Sequence, residues 1–264
     1  KQKSAIMEME NTNPLVAARS VFLSSKNPVD GLLQIMKMGF AGRSFLKKSA
    51  FSGHFASEGI NDKEAKIKLA VARSIARKYG KEVANSIPVY FHANPFMPLT
   101  PILGPNGELW KPTHSILPFS KVLKHDDDFE SLMIEYKDKM ERHEVTMTRM
   151  FSFIDSNAFL YEPTFLWKDK QSIYHKKVYP SDLDSIPVHE HNPEGLKLVH
   201  EIKERIDAMC LANGAIHLQI GKDYPYLQTR TKETKALLCS LKKQFDPKNL
   251  INPGSLGFDP VNGN

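Results

Sequence analysis

The sequence predicts an α+β fold, an antiparallel sheet with helices packed on one face. Three observations predict it. Short apolar stretches suited to strands recur at 47–57, 86–93, 151–166 and 215–220. Segments with apolar residues at helical spacing lie among them, at 62–79 and 193–213. The resulting order is strand–helix–strand, an irregular crossover, then helix–strand–helix–strand. No repeat of fixed short period is present.

The elements follow in order. Residues 29–39 read as a short helix, with Val29, Leu32, Leu33 and Met36 on one side and Gly39 as a stop. In 47–57, Phe51 and Phe55 share a face at even spacing. Asn61, with Glu64 three residues on, is a capping-box start. Ile67, Val71, Ile75 and Tyr79 continue that helix, and Gly80 supplies a left-handed cap. The segment 94–124 carries Pro95, Pro98, Pro101, Pro105, Pro112 and Pro118, so it cannot be one regular element. Such a stretch inside a domain is more often functional than idle.

Asp126, Asp127 and Asp128 favour a helix N-terminus through the macrodipole. Phe129, Leu132, Met133, Tyr136 and Met140 form its apolar face, with an end near Arg149. Residues 150–167 read as one strand with a break near Asn157. Asn192-Pro193 opens a long helix through Val199, Ile202, Ile206 and Met209, which Asn213-Gly214 ends. A last helix spans about 231–244, followed by an extended tail.

Composition bounds the rest. The chain has 264 residues, 41% hydrophobic and 25% charged, as in ordinary globular domains. No apolar run approaches the ~18 residues of a membrane span, and no apolar h-region follows Lys1. A start at Lys1 rather than Met reads as an interior cut. Cys210 and Cys239 sit in helical patterns and read as buried or half-buried thiols, not a disulfide framework. That usage is compatible with the cytoplasm. The net charge of +6 is spread along the chain without an aromatic-studded basic stripe, which argues against nucleic-acid binding.

Three segments then carry a resemblance. One is Trp110-Lys111-Pro112-Thr113-His114-Ser115-Ile116-Leu117-Pro118-Phe119-Ser120. The second runs Asn213-Gly214-Ala215-Ile216-His217-Leu218-Gln219-Ile220-Gly221-Lys222-Asp223-Tyr224-Pro225-Tyr226. The third is the tail Phe245-Asp246-Pro247-Lys248-Asn249-Leu250-Ile251-Asn252-Pro253-Gly254. Together they resemble the "WxPxHGxxPxS" crossover and the "DPxxILNPG" ending of FAD-linked oxidases of the vanillyl-alcohol oxidase/para-cresol methylhydroxylase superfamily. Glu162-Pro163 also fits, while Ser115 stands where that pattern often has glycine.

The resemblance implies a ferredoxin-like cap domain closing over the isoalloxazine ring of FAD. It divides the chain into a connecting segment 1–40 from an FAD-binding module, a cap 41–245, and a tail 246–264 returning to that module. The reaction implied is oxidation of a CH–OH group by hydride transfer to flavin. The substrate is a small molecule, either a 2-hydroxy acid such as D-lactate or a para-hydroxylated aromatic alcohol. The electron acceptor stays open among oxygen, a cytochrome and a quinone, and a homodimer is compatible. The alternative, of another class, is a non-catalytic binding module derived from such a cap.

Alcohol oxidation by flavin needs a base for the hydroxyl proton and a clamp for the substrate. The candidate catalytic residues are His217, His114 and Glu162. Alternation would place His217 and Gln219 on the open face of a strand, with Ile216, Leu218 and Ile220 buried beneath. Lys222, Tyr224, Tyr226 and Gln219 are the candidate substrate-binding groups, Lys222 as a point charge for a carboxylate. Asn252, Pro253 and Gly254 are the candidate cofactor contacts. Relatives that hold a metal use an "HxGDGNxH" arrangement; His217 has no second histidine after it, and His189-Glu190-His191 reads as a solvated loop, so no metal is expected.

Overall fold

One strand organises the sheet. Ala158–Lys168 (β4) is rich in aromatic and aliphatic residues, Phe159, Leu160, Tyr161, Phe165, Leu166 and Trp167, which suit a buried pleated surface. The computed structural model describes residues 22, 27–41, 51–83, 107–154, 156–178, 187–217, 219, 221–224 and 226–258. It divides the chain into two compact units, Lys1–Pro105 and Asn106–Asn264. The division falls inside the proline-rich stretch.

The first unit contains helix α1, Pro28–Ala41, and helix α2, Asp62–Ala76. Asn61 caps α2 by accepting from the Glu64 N–H, and the Glu64 carboxylate accepts from the Ile60 N–H, one residue before the usual capping-box partner. The expected strand at 47–57 does not form over 51–57, where the backbone is irregular. Phe51 and Phe55 have the even spacing but lie half exposed. Alternation makes a strand only where a partner edge accepts its N–H groups. The expected strand 86–93 and residues 94–106 lie outside the described residues.

The second unit holds the sheet, in which every pairing is antiparallel, so the α+β class stands. Glu108–Pro112 (β1) and Ser115–Pro118 (β2) pair along one edge of β4; Val145–Ile154 (β3) pairs along the other. The single strand read over 150–167 is therefore two strands of a hairpin, joined across 155–157. Helix α3, Phe119–Arg142, starts seven residues before Asp126 and ends seven before Arg149. Pro118 at its N-cap fixes the entry. The three aspartates lie inside the helix, where the dipole gives them little. Side-chain pairs use two of them instead. Asp126 binds Arg149 and accepts from the Tyr161 hydroxyl, and Asp128 binds Lys124 and Asn213.

A short helix α4, Ile173–Val178, precedes the long α5, Pro193–Ala212, and helix α6, Lys232–Phe245, comes last. The odd-numbered face of β4, with Tyr161, Phe165 and Trp167, packs with Phe129, Leu132, Met133 and Tyr136 of α3 and Leu198, Val199, Ile202 and Ile206 of α5. Deleting a fully buried aromatic such as Phe129 costs about 3–5 kcal/mol. Among the described residues, no helix is long and apolar enough to cross a membrane.

Register explains the gap between β1 and β2. Pro112 faces Thr164 and Ser115 faces Tyr161, so both strands hold one register and Thr113-His114 stand opposite Pro163-Glu162. The Thr113 N–H donates to the Pro163 carbonyl at 2.9 Å. The return bond is missing because proline has no N–H. The edge strand therefore opens at Thr113 and His114. Beyond β2, Ile116 and Ile216 exchange both backbone bonds, at 2.7 and 3.0 Å. Among the described residues of the segment expected as a strand over 215–220, this bridge is the one pairing. Leu218 and Ile220 lie outside the described residues.

Asp169 ties the end of β4 to the start of α5. Its buried carboxylate accepts from the backbone N–H groups of Asn192 and Lys170, the Trp167 indole and the His191 ring. Burial alone would push this carboxyl up. The donors, the Asn192 N–H first, outweigh it and hold the group below its ordinary range. A depressed folded-state value stabilises the fold above the unfolded value, near pH 4, and the gain is lost as pH falls through the folded value. Asp169→Asn is expected to cost about 1–3 kcal/mol at pH 7. Urea melts should show that difference shrinking below about pH 4; an equal cost at pH 7 and in acid would contradict it.

Candidate functional site

The strand opening places His114, and 215–217 brings His217 beside it. The Gln219 backbone N–H donates to His114 Nε2 at 3.0 Å. A nitrogen that accepts carries no proton, so the neutral ring bears its hydrogen on Nδ1 and donates it to the Tyr224 hydroxyl oxygen at 2.8 Å. Burial, then His217 and Lys203, lowers His114 to about 4. His114 is thus a neutral, fixed ring at physiological pH.

His217 Nδ1 donates to the His114 carbonyl at 2.9 Å. Its Nε2 is buried and has no hydrogen-bond partner. A buried acceptor left unpaired costs about 1–3 kcal/mol, so such an atom asks for a role. Tyr224 closes the group, its ring 4.4 Å from His114 and 4.7 Å from His217, centre to centre. Because its oxygen accepts from His114, the phenol proton remains available to another acceptor. Burial raises the phenol well above its ordinary value, so the hydroxyl stays a donor.

The face expected for His217 is reversed. Ile216 is 44% exposed while His217 is 8% exposed and Ala215 is buried in the core. Ile216 spends its backbone on the edge of β2, which turns its side chain outward and its neighbours inward. His217 is a buried residue with a free nitrogen, not an open-face residue.

The other expected residues divide. Glu162 stands half-buried on β4 opposite the strand opening, and burial pushes its carboxyl up. Gln219 contributes its backbone N–H, while its side chain is exposed. Lys222 is exposed in the bend before Tyr224 and joins none of these bonds. Tyr226 opens the short 3-10 turn Tyr226–Thr229 and lies under Arg230 at 4.7 Å. Asn252 and Gly254 take left-handed backbone at φ 46° and 81°, flanking the exposed Pro253. The tail then returns, the Leu256 N–H donating to the Gly221 carbonyl at 2.6 Å. The Cys210 thiol is pushed up to about 12, by burial first, and is no nucleophile.

Sequence reasoning missed Lys203 and Asp207. Lys203 is buried on α5, its ammonium 4.9 Å from the Tyr224 ring centre, bonded to Asp207 Oδ2 at 2.6 Å and donating to the Asp223 carbonyl. The signal was available. Lys203 follows Val199 by four residues, on the stripe of Ile202 and Ile206, where a lone charge among core positions is unusual.

His114 carries a pH dependence. The unfolded ring binds its proton near pH 6.5 and the folded one near 4. The unfolded state therefore holds more protons between these values, and stability falls as pH drops through that window, by ~1.4 kcal/mol per pH unit for one proton. His125, also lowered to about 4 by burial, contributes a second such slope. His114→Gln should remove about one proton's worth of slope from chemical-denaturation stabilities between pH 6.5 and 4; an unchanged slope would show that the folded ring titrates like a free one. Neither a family model nor a curated protein sequence matches the chain, so the functional reading rests on the sequence motifs and this geometry.

Proposed function

We propose that this chain is the substrate-binding cap of an FAD-dependent oxidoreductase, with a ferredoxin-like topology, that oxidises a CH–OH group. The observation that carries the reading is convergence. The crossover segment supplies His114, the second segment supplies His217 and Tyr224, and the tail bonds to Gly221 between them. The first two segments lie about a hundred residues apart, yet His114, His217 and Tyr224 form one buried group.

The buried, unpaired Nε2 of His217 fits a proton acceptor at the substrate end of a flavin site. The sequence holds no GxGxxG-like phosphate loop, so Asn252, Pro253 and Gly254 are this chain's proposed cofactor contacts. When bound, flavin supplies the acceptor for the hydride that leaves the alcohol carbon. His217 takes the hydroxyl proton at Nε2, and its Nδ1–H on the His114 carbonyl fixes the ring for that transfer. Tyr224 directs its proton to a substrate oxygen. His114, kept neutral, holds both partners in place.

The surrounding charges favour a para-hydroxylated aromatic alcohol over a 2-hydroxy acid. Asp207 engages Lys203, and Asp223 engages Lys111 at 2.7 Å. Lys222 is exposed and stands outside the buried group. The Tyr224 hydroxyl remains as a partner for a phenol.

The natural protein should purify with FAD, and para-hydroxybenzyl alcohol should bleach it without oxygen. His217→Ala should slow that reduction by about 10²–10⁴-fold while the melting temperature stays within a few degrees. A colourless protein, which would favour the binding-module alternative, or full-rate reduction by the variant would reject the reading.

A further inference from the structure

We infer that Asp207 is a positioning residue for this chemistry, the counter-charge that allows His217 to take a proton inside a buried site. The inference rests on the reading of His217 as the base. Asp207, Lys203, Tyr224 and His217 form a continuous chain: carboxylate to ammonium at 2.6 Å, ammonium to phenol ring at 4.9 Å, phenol ring to imidazole at 4.7 Å.

The need for a counter-charge follows from Lys203. An imidazolium forming on His217 would sit near a buried ammonium, and two like charges away from water repel strongly. Asp207 answers this with two oxygens. Oδ2 neutralises Lys203. Oδ1 is buried with no hydrogen-bond partner, as is His217 Nε2. Neither atom is hydrogen-bonded to the other, so Asp207 acts on the ring as a charge, offsetting Lys203 when deprotonation of an alcohol brings a proton to His217.

Among the described residues, the other groups around His217 supply no such charge. His114 is neutral with both ring nitrogens engaged, and the Tyr224 phenol and Cys210 thiol stay protonated. Asp223 is committed to Lys111, and Glu162 is driven towards its neutral form by burial. The net shift of Asp207 is also upward, burial outweighing its bond to Lys203, and what sets it apart from Glu162 is that bond to the buried ammonium at 2.6 Å.

The test uses two substitutions with opposite signs. Asp207→Asn removes the negative charge at constant shape, and Lys203→Gln removes the positive one. The His217 ring titration is followed by NMR in the whole protein, and the pH profile of anaerobic flavin reduction by para-hydroxybenzyl alcohol is measured alongside. The expected result is a midpoint lower by about one pH unit in Asp207→Asn and higher in Lys203→Gln. The acid limb of the rate profile should move the same way, and Asp207→Glu should restore most of the wild-type profile. General loosening of the fold cannot move one midpoint in two directions, and Lys203→Gln stays readable if Asp207→Asn folds poorly. Midpoints that stay put in both variants overturn the inference. Midpoints that move as expected while no alcohol bleaches the flavin support Asp207's hold on His217 and reject the oxidase reading instead.

Discussion

The second unit depends on a hydrogen bond that cannot form. Pro163 sits in the central strand, where a proline is normally excluded because it breaks the ladder. Its carbonyl accepts from Thr113, but no N–H returns the bond. The edge strand keeps its register on both sides of the fault and opens only at Thr113-His114. Everything at the candidate site follows from that opening. The His114 carbonyl receives His217, its Nε2 receives the Gln219 backbone, and its Nδ1 holds Tyr224. A residue with an N–H in place of Pro163 would let the ladder close and draw His114 into the edge.

The site is maintained by expensive groups that nearby bonds and charges offset. A neutral histidine, an ion pair and a phenol are buried within one cluster, and each alone would cost several kcal/mol if left unpaired. Most are satisfied: His114 at both nitrogens, Lys203 by Asp207 and the Asp223 carbonyl. The atoms left without a partner are His217 Nε2 and Asp207 Oδ1 in this cluster and Thr113 Oγ1 at the strand opening. Buried orphan atoms are rare in native folds and concentrate where chemistry occurs. The core around Phe129, Phe165 and Ile202 and the Asp169 clamp on α5 supply the rigidity that lets them persist.

How much of this was legible depended on range. Signals within one turn of chain read well: the Asn61 cap of α2, the Asn192-Pro193 start of α5, and the apolar face Phe129-Leu132-Met133-Tyr136 of α3. Signals that need a partner did not. Phe51 and Phe55 alternate as in a strand, yet nothing in the local sequence says whether an edge awaits them. The run Asp126–Asp128 reads as a helix start because local charge favours it, but Arg149, Tyr161 and Asn213, distant in sequence, claim those carboxylates. The proline-rich 108–118 hid two strands, since proline is harmless where its missing N–H faces outward or a ladder already breaks. His114, His217 and Tyr224 were legible as chemistry from their types and motifs. The face of His217 was not, because a one-residue choice of register turns every side chain over, and the Ile116–Ile216 bridge made that choice.

The candidate site rests on a proton arrangement: hydrogen on Nδ1 of both rings, with His217 Nε2 left without a partner. Long-range nitrogen–proton NMR of the two imidazoles at neutral pH reports it directly. The expected result is a neutral His114 ring with its proton on Nδ1, and a His217 ring donating from Nδ1 whose Nε2 signal is displaced when a para-hydroxylated alcohol binds. A proton on His114 Nε2, or a charged His114 ring at neutral pH, would contradict the arrangement on which the site and its chemistry rest.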